Sequence, residues 1–177
     1  SDMYEDMLEG IEDQGIIKNW PTFNVVDSIW SPIESSINNN GTYSLAIGAQ
    51  NLYNTGQINA IQLNWFLKLD TIVSLKFGLG TYTSSIVAFD NALNAATNLT
   101  NSQKAIIFIG SATAKHSGEF WADYASKLKS TQYKWWQWGG IIGADIVGGV
   151  IGGGGGPGGS IGAGACCSAL AMAIFSD

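Results

Sequence analysis

Residues 133–175 have the sequence YKWWQWGGIIGADIVGGVIGGGGGPGGSIGAGACCSALAMAIF, and this stretch decides which folds the chain can adopt. After Lys134 it holds one charged residue, Asp145, in the 41 residues up to position 175. The run from 152 to 159 is almost entirely glycine, which is unsuited to regular structure and predicts a flexible turn. Apolar segments of 17 and 16 residues flank this turn, at 135–151 and 160–175. The stretch therefore predicts a hairpin of two apolar helices.

Small residues recur at every fourth position of both predicted helices. This spacing places them on one face of a helix, and a row of small side chains lets two helix backbones approach closely. Each glycine also weakens a helix by about 1 kcal/mol relative to alanine, so helices of this kind must be stabilised by their surroundings. The rows are Gly140, Ala144, Gly148 and Gly152 in the first helix, and Ser160, Gly164 and Ser168 in the second.

Three tryptophans begin the first predicted helix: Trp135, Trp136 and Trp138. Together with Tyr133 and Lys134 they form the kind of aromatic group that anchors helices at a membrane interface. A helix of 17 residues is about 25 Å long, which is shorter than a hydrocarbon core of about 30 Å. We therefore expect shallow insertion, or a span only in an oligomer or a thin membrane. In the alternative interpretation the hairpin is the centre of a soluble bundle and the tryptophans belong to its core.

The body of the chain, residues 20–131, is predicted to be helical because apolar residues recur at helical spacing. Thr100 and Gln103 have the spacing of a capping box, which predicts the start of the longest helix. The chain is accordingly expected to be all-α, a helical bundle of about five to seven helices that encloses or precedes the glycine-rich hairpin. The predicted body helices cover 22–37, 43–54, 58–79, 83–98 and 100–127.

Residues 58–79 fit two structures. Apolar residues alternate from Ile61 to Leu69 as in a strand, whereas Ile58, Ile61, Trp65, Leu69 and Ile72 also form a stripe on a helix. The length of this segment, without an internal turn signal, favours a buried helix.

Residues 1–19 form an acidic leader that carries six of the fourteen acidic residues. Apolar residues at helical spacing within it predict an amphipathic helix. No signal peptide is visible at Ser1. The leader resembles the stretch that follows the lipidated cysteine in surface lipoproteins of Bacteroidota, and this resemblance implies a secreted or cell-surface protein, such as a processed lipoprotein. A cytoplasmic location is the alternative.

The aromatic cluster and the sequence GGIIGADIVGGVIGG, followed by PGG and IGAGA, resemble the membrane-active helices of two-peptide (class IIb) bacteriocins. The resemblance covers about 45 of the 177 residues, in the third segment of the chain, 132–177. It implies a glycine-zipper hairpin that inserts into membranes and permeabilises them.

Composition and motifs exclude several classes of function. The net charge is −6 and the chain has no arginine, so a nucleic-acid binder, which normally presents a basic face, is not expected. The glycine run lacks a Walker lysine and a strand–helix context, so no nucleotide or other cofactor is expected. His116, the single histidine, has no nucleophile or ligand set beside it. The adjacent Cys166 and Cys167 are interpreted as apolar fillers.

These observations predict a non-enzymatic exported protein without a metal or cofactor. When the hairpin is released, the protein is expected to interact with membranes or to act like a toxin. The alternative is a structural or interaction protein in which the hairpin is the buried core or packs into a partner subunit. Any contact with a membrane or with a protein partner is expected through residues 132–177.

Overall fold

The computed structural model describes residues 23–127 and 135–152, and all the regular elements in these two ranges are α-helices. The all-α bundle predicted from the sequence is therefore confirmed for this part of the chain. The segment that also fitted a strand is a helix. The described helices are α1 (Phe23–Asn40), α2 (Leu45–Asn54), α3 (Ala60–Lys76), α4 (Tyr82–Ala95), α5 (Asn101–Lys127) and α6 (Trp135–Gly152).

Three of the predicted features lie outside the described residues. They are the leader helix at 1–19, the glycine-rich turn beyond Gly152, and the second hairpin segment at 160–175 with its two cysteines. The first hairpin segment is described, and it forms α6 with nearly the predicted bounds.

Cap and turn chemistry sets several helix boundaries. The predicted capping box starts α5: the Thr100 amide donates to Gln103 Oε1 at 2.9 Å, and the Gln103 amide donates to Thr100 Oγ1 at 3.2 Å. An equivalent box, not predicted from the sequence, starts α3 between Asn59 and Gln62. At the end of α1, Gly41 adopts a φ of +67°, which glycine reaches without strain.

The glycine-rich helix α6 lies at the centre of the described bundle. It packs against α1, α2, α3 and α5, and its contact with α5 is the most extensive helix pair. Helix α4 is placed outside this group, against α3 and α5. Every residue of α6 from 140 to 149 is buried, and Ile141, Ile142 and Ile146 are completely so. The body therefore encloses this half of the predicted hairpin.

The stripe predicted for residues 58–79 is buried only in part: Ile58 and Leu69 are buried, and Trp65 and Ile72 pack partly buried against the core. The buried residues of this helix are Gln62, Phe66, Leu69 and Val73, whereas Ile61 is 38% exposed. Gln62 can be buried because both ends of its side-chain amide are hydrogen-bonded: Oε1 accepts from the Asn59 amide in the capping box, and Nε2 donates to the Gln103 carbonyl at 3.1 Å.

Candidate functional site

The predicted small-residue row of α6 is buried. Gly140, Ala144, Gly148 and Gly152 all lie in the interior of the bundle. The two predicted positions in the second hairpin segment, Gly164 and Ser168, are outside the described residues. The structure thus places the predicted first row in protein packing.

Close backbone approach occurs at a neighbouring glycine, Gly143, where α6 meets the N-terminus of α2. A methyl group added to Gly143 would lie 2.7 Å from the Leu45 amide nitrogen and 3.1 Å from the Ser44 carbonyl carbon. Both contacts are to backbone, which cannot rotate away. Glycine at this position is therefore what allows the two helices to touch.

Two side chains cap the α2 N-terminus at this contact. Ser44 Oγ accepts from the Ile47 amide at 3.4 Å, and Asp70 Oδ1, from α3, accepts from the Ala46 amide at 3.1 Å. Burial raises the pKa of the Asp70 carboxyl above its usual value, and this effect exceeds the opposing one of the backbone hydrogen bonds. The site where α6 meets α2 is thus held by α3 as well.

Trp138, one of the predicted membrane anchors, is 6% exposed and belongs to an aromatic cluster. Its ring centroid lies 5.8 Å from that of Trp121, 6.3 Å from that of Phe77 and 6.5 Å from that of Tyr124. These distances are typical of favourable aromatic pairs. In this structure Trp138 therefore joins α6 to α5 and to the end of α3. Of Trp135 and Trp136 only the backbone, at the start of α6, is described.

The aromatic cluster continues from the core to the surface of α5. The rings of Phe120 and Trp121 meet edge-to-face at 4.8 Å, and Phe120 also stacks on Tyr124 at 6.5 Å. Phe120 is 61% exposed and Tyr124 is 38% exposed. An exposed phenylalanine beside a half-exposed tyrosine gives this end of the bundle an apolar surface.

Asp145 is the polar group at the centre of α6, and it is 6% exposed. Its Oδ2 accepts a hydrogen bond from Trp121 Nε1 at 3.0 Å and another from Ser117 Oγ. The two donors are four residues apart on α5 and therefore lie on one helix face. The sequence analysis identified Asp145 as the single charge of the segment but did not identify its partners. The four-residue spacing of Ser117 and Trp121 is the sequence feature that could have indicated them.

The described residues hold no cluster of three potential metal ligands. The His116 ring is well exposed, and its Nδ1 lies 3.9 Å from the Glu119 carboxylate. A cavity of about 50 Å³ opens between α1, α2 and α6, with Pro32, Tyr43 and Val147 in its wall. Pockets for small molecules usually measure about 300–1,000 Å³, so this one fits a water or two.

Comparison with protein families, curated proteins and solved structures finds no match to the chain. Among the helices of the two described ranges, none has both the length and the hydropathy of a bilayer-crossing span.

Proposed function

We propose that this is a non-enzymatic, exported, membrane-active protein that stores the apolar helix α6 inside a helical bundle and releases it at a membrane surface. The observation that carries the proposal is the enclosure of α6. The most apolar helix of the described chain is surrounded by α1, α2, α3 and α5. Burial on this scale keeps the apolar surface from water while the protein diffuses.

The composition of α6 supports release. Six of its 18 residues are glycine, and each weakens the isolated helix by about 1 kcal/mol relative to alanine. An isolated α6 is therefore a weak helix that depends on its packing in the bundle. Small residues also favour close helix–helix contacts within a membrane, so the row that packs in the bundle can pack again after release.

The aromatic end of the bundle supports first contact with lipid. Phe120 and Tyr124 are exposed and stack on each other, and the Tyr124 ring lies beside that of Trp138. Aromatic side chains concentrate at the membrane interface. A helix of 18 residues is about 27 Å long, which is shorter than a hydrocarbon core of about 30 Å. Helix α6 would therefore insert shallowly, or span the membrane only when several copies associate. The resemblance of residues 133–175 to class IIb bacteriocin helices is consistent with this action.

A disulfide between α5 and α6 tests the proposal directly. A methyl carbon built on Gly149 lies 3.7 Å from Cβ of Thr113, which is close to the typical spacing of about 3.8 Å in disulfides. The experiment uses Thr113→Cys with Gly149→Cys in a chain whose native cysteines, Cys166 and Cys167, are replaced by serine. We expect the oxidised protein to leave dye-loaded liposomes intact and the reduced protein to release the dye.

Single variants with only Thr113→Cys or only Gly149→Cys are the matched controls, and their leakage should not depend on reduction. Equal leakage from the oxidised and reduced double variant would contradict release of α6. Intact liposomes under both conditions would contradict membrane activity.

The second candidate function is a structural or interaction protein in which α6 is a permanent core. The specific observation in its favour is the fixed pairing of Asp145 with Ser117 and Trp121, which joins α6 to α5 by polar contacts as well as apolar ones. This candidate predicts that locking α6 raises thermal stability and that neither redox state of the double variant affects liposomes.

A further inference from the structure

We infer that Asp145 is a proton-dependent latch: the ionised carboxylate holds α6 against α5, and its protonation accompanies the transfer of α6 to lipid. This inference rests on the proposed function, because it concerns how release of α6 is regulated.

The latch involves the Asp145 carboxylate and two hydrogen-bond donors of α5. Oδ2 of Asp145 receives hydrogen bonds from Trp121 Nε1, at 3.0 Å, and from Ser117 Oγ. Hydrogen bonds to an ionised carboxylate are roughly twice as strong as those between neutral groups. Since both donors belong to α5, the carboxylate loses them when α6 departs, whatever the destination of the helix.

Lipid discriminates between the two protonation states of Asp145. An ionised aspartate is costly within hydrocarbon, whereas the protonated acid carries no charge. The inserted state therefore binds a proton that the stored, hydrogen-bonded state does not require. By linkage, a state that binds one additional proton becomes more populated as the pH falls.

The other described titratable groups on the helices that pack against α6 are placed differently from Asp145. Asp70 has a pKa raised by burial, so its protonation stabilises the folded bundle and opposes release at low pH. His116 and Glu119 are on the exposed side of α5. Among the remaining described charges on these helices, Lys104 and Lys115 are half-buried, and Glu34, Lys68, Lys76, Asp123 and Lys127 are exposed.

Asp145→Asn in the full chain tests the latch, because asparagine keeps an acceptor oxygen and has no charge to neutralise. Leakage is measured from vesicles of phosphatidylcholine and phosphatidylglycerol in equal parts. The pH is varied between about 7 and about 4.5, a range that lies above the pKa values of ordinary carboxyls. For the wild type we expect leakage to rise by up to about tenfold per pH unit, the limit for uptake of one proton. The variant should leak at neutral pH and show no such slope.

Two control variants separate this effect from general destabilisation and from other titrations. His116→Gln removes the histidine and should keep the wild-type slope. Leu93→Ala opens the core at α4, where Leu93 is completely buried. It should raise leakage at every pH without removing the slope. A wild-type slope retained in Asp145→Asn, or an absent slope in the wild type, overturns the latch.

Folding of each variant is checked by near-ultraviolet circular dichroism before vesicles are added. If Asp145→Asn does not fold, Ser117→Ala replaces it: with one donor removed and the carboxylate kept, leakage should rise at neutral pH and still increase on acidification. Unchanged neutral leakage in Ser117→Ala would then overturn the latch. The disulfide between positions 113 and 149 distinguishes failure of the latch from failure of the proposed function. If reduction still controls leakage, release of α6 stands without the latch, and if it does not, the proposed function itself fails.

Discussion

Gly143→Ala is the substitution that most directly tests how α6 fits into the bundle. The added methyl carbon would lie 2.7 Å from the Leu45 amide nitrogen and 3.3 Å from Leu45 Cα. Because these atoms are backbone, α2 must move away from α6. The movement would also disturb the capping of α2 by Ser44 and Asp70.

The expected loss of stability follows from three contributions. Overpacking a well-packed contact costs about 1–3 kcal/mol, and a weakened cap costs about 1 kcal/mol more. Replacing glycine by alanine within a helix returns about 1 kcal/mol. The free energy of unfolding of Gly143→Ala should therefore fall by about 1–3 kcal/mol, which for a chain of this size lowers Tm by about 2–4 °C per kcal/mol.

Gly139→Ala is the matched control, since it makes the same substitution in the same helix. A methyl group on Gly139 meets no atom of the described residues within 4 Å, so only the gain in helix propensity remains, at most about 1 kcal/mol. Thermal and urea unfolding of the two variants, followed by circular dichroism, give the comparison. A Gly143→Ala protein as stable as Gly139→Ala would refute the close approach of α6 to α2.

Two further predictions concern buried polar contacts. Tyr82→Phe removes the hydrogen bond from the buried Tyr82 hydroxyl to the Ala114 carbonyl at 2.7 Å. Urea unfolding should show a loss of about 1–2 kcal/mol, whereas Tyr53→Phe, at a site 41% exposed, should change little; equal effects would contradict the prediction. Asp70→Asn tests a pH dependence. Because burial raises the pKa of Asp70 above 3.8, the native state binds its proton more readily than the unfolded state does, so this group stabilises the wild type progressively as the pH falls through the folded pKa. Thermal unfolding measured against pH should show this gain in Tm at low pH in the wild type and not in Asp70→Asn. The same dependence of Tm on pH in both proteins would contradict the prediction.

The sequence predicted the helices well because their signals are local. The Thr100–Gln103 box and the apolar segment of α6 depend on residues close together in the chain. For α3 the predicted stripe included the exposed Ile61 and missed the buried Gln62, because a glutamine counts as polar in any periodicity. The Gln62 amide nevertheless finds a partner 41 residues away, at the Gln103 carbonyl. A hydrogen bond between residues so far apart in the chain cannot be inferred from the spacing of apolar residues.

The same limit applies to the candidate site. The row of small residues predicted that α6 packs closely, and its members are buried. The sequence did not predict that Gly143 would face the α2 N-terminus, because that depends on how three helices meet. Nor did it pair Asp145 with α5, although Ser117 and Trp121 have the spacing of one helix face.

The presence of Asp145 bears on the choice between a permanent core and a released helix. Replacing buried charged groups by apolar ones of similar volume is often neutral or stabilising, so a core that never opens gains little from a carboxylate at this position. A helix that must leave the bundle gains more under the proposed latch, because an ionised carboxylate binds its donors more strongly than a protonated carboxyl does. Two donors on one face of α5 and a single acceptor in the middle of α6 are the arrangement that such a requirement favours.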